Sequence, residues 1–160
     1  KSNPNYCGEE EFLDTCDKQR SHFSFRSILP MPKELEHTSS PARIFETQEE
    51  VDEHVKEWAT KHPDGMSKQY AMGAMTREYA SYLERTYGAD NWYDWSNENW
   101  GTKWDASEPY LQDDGWMLRY DFDTAWSPPE PICEFLRDKF PDVHISWFFR
   151  EDGMEMAGYL

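Results

Sequence analysis

The chain has 160 residues with 16 Lys+Arg against 32 Asp+Glu, a formal charge of -16 and a sequence pI near 4.6. That balance argues against binding a phosphate backbone or an anionic membrane surface, because both affinities come from clustered cationic side chains. With 38% apolar and 16% aromatic residues it is far from the composition of a disordered chain, and no apolar run approaches the roughly 18 residues that cross a bilayer.

In chain order, Glu9 to Lys18 places Phe12, Leu13 and Cys16 at helical spacing behind an acidic first turn. Phe23–Leu29 alternates and is stopped by Pro30 and Pro32, which predicts a short strand. Residues 33–46 are polar and read as a surface connection. Thr47 followed by Glu50 is a capping box, and Val51, Val55, Trp58, Ala59 and His62 form the stripe of a helix ended by Pro63-Asp64-Gly65. A second helix is predicted from about Ser67 to Tyr87 with Gly88 as its cap, packed antiparallel to the first. Asn91 to Trp100 suits a short aromatic helix carrying Trp92, Trp95 and Trp100, followed by an extended piece through Ala106.

After Gly115 the period changes. Trp116, Leu118, Tyr120 and Phe122 alternate with Met117, Arg119, Asp121 and Asp123, the pattern of a half-buried strand. Ser127, Pro128 and Glu130 signal a helix start, with Ile132, Leu136 and Phe140 expected on its buried face. Val143, Ile145, Trp147 and Phe149 repeat the alternation, and Asp152-Gly153 signals a hairpin into Met154–Leu160. A strand, a crossover helix and a tight hairpin make most of a split β-α-β sheet. The fold class expected is therefore α+β, a ferredoxin-like sheet in one domain over 1–160, with a mostly helical insertion at about 47–100.

The string Asn91-Trp92-Tyr93-Asp94-Trp95, then Asn99-Trp100-Gly101-Thr102-Lys103-Trp104-Asp105-Ala106, then Phe122-Asp123-Thr124-Ala125-Trp126-Ser127-Pro128-Pro129 and a closing Gly158-Tyr159 resembles the YubB-type ferredoxin-like proteins of bacteriophages and conjugative plasmids. Ile28-Leu29-Pro30-Met31-Pro32 is similar to the early strand and turn of that family. The resemblance implies a ferredoxin-like α+β fold and a mobile-element origin, and no reaction.

Cys7, Cys16 and Cys133 are an odd set without CxxC spacing, so neither a disulfide framework nor a zinc ribbon is expected and a reducing cytosol is the simplest home. His22, His37, His54, His62 and His144 show no metal-ligand spacing. No nucleophile elbow or phosphate-cradling loop occurs. No metal or cofactor is expected. Large aromatics are mostly core, so Trp92, Trp95, Trp100, Trp104 and Trp126 read as a structural motif, with Lys103 able to stack on a neighbouring ring or pair with Asp105.

The acids are the remaining signal. Residues 46–57 hold six acids and one base, and residues 90–123 hold nine acids and two bases. Over roughly 8,400 Å² of folded surface, a charge of -16 is one per roughly 500 Å². Duplex DNA carries about one per 100 Å². Mimicry of DNA would thus require the acids to gather on one face. The function expected is a non-catalytic module that binds a basic host or phage protein through Glu49, Glu50 and Glu53 or through Asp113, Asp114 and Asp121. Its sharper form is a counter-defence inhibitor occupying the nucleic-acid channel of a restriction or CRISPR-type enzyme. The alternatives are an enzyme whose carboxylates or histidines converge from distant positions, and a structural accessory subunit.

Overall fold

A computed structural model describes residues 23–62 and 73–160. The predicted helix at Glu9–Lys18, together with Cys7, Cys16, His22 and residues 63–72, lies outside the described residues. The elements are α1 (Phe25–Ile28), β1 (Arg43–Phe45), α2 (Gln48–Lys61), β2 (Ala74–Thr76), α3 (Arg77–Tyr87), α4 (Trp92–Asn99), β3 (Ser107–Asp113), β4 (Leu118–Asp123), α5 (Glu130–Lys139), β5 (Phe148–Glu151) and β6 (Met156–Tyr159).

Phe23–Leu29 is not a strand. Its centre is a single helical turn, because distant groups satisfy the N–H groups that such a turn leaves open. The Asp105 carboxylate accepts from Phe25 N and from Ser24 Oγ, both at 2.6 Å. The polar connection at 33–46 also departs from expectation, since it contains β1. That strand pairs in parallel with β2, Ile44 opposite Met75, and α2 is the crossover between them. The capping box of α2 forms as its spacing predicts: Thr47 Oγ1 accepts from Glu50 N, and the Glu50 carboxylate accepts from Thr47 N at 3.2 Å.

Of the predicted Ser67–Tyr87 helix, residues 67–72 lie outside the described residues, 74–76 form strand β2, and the helix α3 runs from Arg77. A Cβ on Gly73 would sit 2.7 Å from the Ser39 backbone N, so the chain here runs flush against the 39–41 loop and leaves it as strand β2. Thr76 then caps α3, and Gly88 ends it at φ +80°. The inserted stretch is thus a β-α-β-α unit in which both helices pack on a parallel ribbon, in place of a simple helix pair.

The C-terminal order is strand, strand, helix, strand, strand. Sequence pattern does not disclose β3, because Pro109 cannot donate to a ladder. A register shift between Ser107 and Tyr110, with Glu108 at φ +48°, places the proline inside a bulge and lets the rest pair with β4. α5 starts at Glu130 without a side-chain cap, because the Ser127 hydroxyl donates to the Gly101 carbonyl instead. Ile132 is buried as expected, but Phe140, at the end of the helix, is 46% exposed. The hairpin turns at Asp152-Gly153 with Glu151 opposite Met156. Only Phe148–Glu151 of the predicted strand joins it. The Arg137 guanidinium takes the Ile145 carbonyl at 3.1 Å and the Leu160 carbonyl at 2.8 Å, so a side chain occupies what a neighbouring strand would.

Backbone pairing among the described residues forms three two-stranded ribbons, β1–β2, β3–β4 and β5–β6. Aromatic packing joins the last two. Phe23 stacks on Phe122 at 4.6 Å and lies 4.9 Å from Tyr120, while Trp147 meets Phe122 edge-on at 5.6 Å. Deeper in, Phe25, Leu35, Leu83, Trp95, Trp100 and Ile132 form one buried cluster drawn from both parts of the chain. Trp100 packs edge-on against Trp95 at 5.6 Å, and its indole N–H donates to the Leu29 carbonyl at 2.9 Å.

Gly101 follows at φ +78°, where an added Cβ would lie 2.7 Å from Pro131 Cδ and 3.1 Å from the Pro128 carbonyl oxygen. Two outcomes are expected in urea-unfolding measurements. Trp100→Ala should cost about 3–5 kcal/mol through the cavity it leaves. Gly101→Ala should cost at least the roughly 1–2 kcal/mol of a left-handed non-glycine residue, because the added methyl also collides with α5.

Candidate functional site

Of the acids picked out by sequence, Glu49, Glu50 and Glu53 lie exposed on the first two turns of α2. Glu50 is committed to the cap, where it also accepts from Glu46 N at 2.9 Å. Glu49 and Glu53, four residues apart, share a helix face. Asp113 and Asp114 sit at the β3–β4 turn, where Asp113 Oδ1 accepts from Gly115 N at 2.7 Å. Asp121 is three residues further along β4 than Leu118, the partner of Asp113, which puts it roughly 10 Å away. Its carboxylate accepts from Arg119 Nη2 at 2.9 Å. Three of the six candidates are therefore bound into local structure, and the two groups belong to different ribbons of the fold.

The tryptophans divide. Trp95 and Trp100 are buried and Trp92 is half-buried, as a structural motif requires. Trp104 is 58% exposed and Trp126 82% exposed, which corrects their assignment to the core. The space beneath Gly101 is filled by the Pro128–Pro131 segment and the next inward position is taken by fully buried Thr102, so Trp104 falls outside. Lys103 Nζ lies 4.0 Å from the Trp104 ring centroid, the stacking contact of the two that its position offered. Asp105 serves the α1 cap and not an ion pair with Lys103.

Trp126 has φ +74°, a conformation that costs a bulky residue about 1–2 kcal/mol. No periodicity could have disclosed it, because it arises from hydrogen bonds made across 23 residues between Thr102 and Ala125. Trp116, Tyr110 and Tyr159 are also more than half exposed. On β5–β6, register puts Phe148 and Tyr159 directly opposite each other with centroids 5.3 Å apart, on a face open to solvent.

Among the described residues no cluster of His, Cys, Asp or Glu could hold a metal ion. His54 lies 5.0 Å from the Phe45 ring and its Nε2 is 3.3 Å from Arg43 Nη1, while the Arg43 guanidinium covers Trp58 at 4.6 Å. His37 and His144 are exposed. Cys133 is buried, and burial pushes its thiol pKa up, away from a reactive thiolate.

A polar depression of about 260 Å³ opens at the carboxyl ends of β1 and β2, lined by Glu34, His37, Gln48, Thr76 and Tyr79 among others. The helix N-termini at its wall are already capped by Thr47 with Glu50 and by Thr76. Beside it, burial and then a hydrogen bond to Glu34 push the Tyr87 phenol up to about 12. Burial and the Glu34 charge also raise Tyr79.

With this geometry in view, the family comparison is specific. Residues 99–160 match the family model of the ferredoxin-like domain in Api92-like protein. The match begins at Asn99, immediately before the Trp100-Gly101-Thr102 turn, and takes in β3 through β6. The chain is an α+β protein carrying a ferredoxin-like domain at its C-terminal end. No curated protein and no solved structure matches it.

The Tyr87 shift has a signed consequence. A phenol raised above its unfolded value of about 10 stabilises the fold fully below that pH, and the contribution disappears as pH rises toward 12. A phenolate absorbance titration should show Tyr87→Phe removing a component centred near 12, not one near 10.

Proposed function

We propose that this chain is a non-catalytic protein-interaction module whose ferredoxin-like domain docks a basic protein, in the setting of a phage or conjugative plasmid. The observation that carries the reading is the set of solvent-facing aromatics on an acidic domain: Trp104, Trp116, Trp126, Tyr110 and Tyr159 are each more than half exposed. Interfaces are enriched in Trp, Tyr and Met at their centres, and these five bulky rings, exposed on one acidic domain, are the residue types that serve as anchors there. The charge of -16 complements this, because opposite charge accelerates encounter and suppresses wrong partners.

The mobile-element setting draws on the resemblance of the tryptophan-rich strings. The sharper reading, in which carboxylates stand in for phosphates inside a nucleic-acid channel, requires them to be free to face a partner. Glu50, Asp113 and Asp121 are engaged within the fold, which favours docking by aromatic anchors with acids as the steering field.

The test is affinity capture from host lysate across a salt series, followed by association rates for the purified pair. Retained proteins should be basic, with pI above about 9. Screening over about 8 Å at physiological ionic strength should make the association rate fall steeply as salt rises. Reversing Glu49 and Glu53, or Asp114, to Lys should slow association without shifting the unfolding midpoint. A neutral or acidic partner whose association ignores salt would overturn the reading.

A further inference from the structure

Trp126 combines two costs. Its indole is 82% in solvent, and its backbone is left-handed at φ +74°. Bulky residues avoid that region, and where they persist in it the surroundings over-determine them. Here they do. Fully buried Thr102 donates its hydroxyl to the Ala125 carbonyl at 2.9 Å and accepts from Ala125 N at 3.2 Å. On the other side Thr124 Oγ1 donates to the Ser127 carbonyl at 2.8 Å, and Ser127 Oγ donates to the Gly101 carbonyl. The backbone on both sides of Trp126 is thus fastened, Ala125 to Thr102 and Ser127 to Gly101, and this holds the left-handed residue between them.

Among the described residues, the Trp126 ring stacks on no other ring and lies under no cation. Trp104, on the same side of the Thr102–Ala125 contact in sequence, carries the Lys103 ammonium over its face. Asp123 and Glu130, both exposed, stand at the two ends of the Trp126 loop. A free indole on a loop that begins and ends at exposed carboxylates suits a cation that is planar and weakly hydrated. Guanidinium has those properties and stacks on aromatic rings, while an ammonium keeps its water. The flanking carboxylates and the net charge oppose a nucleic-acid base, which would bring phosphate with it. A second copy of this chain would bring another charge of -16.

Resting on the interaction-module reading above, we propose that Trp126 is the recognition residue for an arginine side chain of the basic partner. Its indole takes the guanidinium face, and Asp123 and Glu130 supply the counter-charge.

The probes are octa-arginine and octa-lysine, equal in charge, titrated onto the full chain by calorimetry at physiological ionic strength. Octa-arginine should bind roughly two- to fivefold more tightly, the range of one cation–π contact at an exposed site. Trp126→Leu, which keeps an apolar group without a π face, and Trp126→Gly, which suits the left-handed backbone, should both lower octa-arginine affinity to that of octa-lysine and leave octa-lysine unchanged. Trp126→Gly should also keep or raise the thermal midpoint, as expected where the native residue is strained. Equal binding of both peptides by the parent, or an arginine preference surviving in either variant, overturns the Trp126 assignment and leaves the interaction module standing. Binding of neither peptide overturns the module itself. Should the loop variants fail to fold, Asp123→Asn with Glu130→Gln must weaken octa-arginine binding, and unchanged affinity there would overturn the assignment.

Discussion

The left-handed turn at Gly101 joins the helical part of the molecule to its C-terminal ribbons, and three consecutive residues there tie distant segments together. Trp100 fills the core and ties its indole N–H to Leu29. Gly101 allows the chain to reverse against Pro128 and Pro131, where no side chain would fit. Thr102, without solvent exposure, fastens Ala125 by two hydrogen bonds. Remove the glycine conformation and α4, α5 and the 124–127 loop lose their common reference point.

The same economy of contacts appears between the ribbons. Two-stranded ribbons are marginal by themselves. Here β3–β4 and β5–β6 are held together by Phe23, Phe122 and Trp147 and not by a shared ladder. Arg137 on α5 binds the chain on either side of the hairpin by donating to Ile145 and Leu160 carbonyls. Aromatic residues therefore have two roles in this chain. Those near the bases of the ribbons replace missing backbone pairing, and those at turns and outer faces remain in water.

That division bears on function. An acidic surface by itself confers solubility and steering. Specific association needs rigid anchors that lose little entropy on binding. Under the proposed reading the Trp126 loop would serve as such an anchor, because the Thr102 bonds to Ala125 hold its backbone in place. The acids first favoured by local density are weaker anchors, since several already serve caps, turns and local ion pairs.

Local sequence determined what depends on neighbours within one turn or one pleat. The Thr47–Glu50 capping box, the Asn91 start of α4, the Gly88 cap, the strand at Leu118–Asp123 and the Asp152-Gly153 hairpin were legible, because each is stabilised by groups a few residues apart, but the alternation assigned Trp116 and Leu118 to the buried face, and they are 82% and 50% exposed. Tertiary structure decided what those signals could not hold. The helical turn at Phe25 depends on Asp105, eighty positions away. The β2 strand depends on the close approach of Gly73 to Ser39. Trp100 and Trp104 looked equivalent in sequence, yet one lies in the core and the other in solvent, because Gly101 turns the chain between them. The left-handed, solvent-facing Trp126 was equally hidden, since only the buried Thr102 hydroxyl fixes its loop.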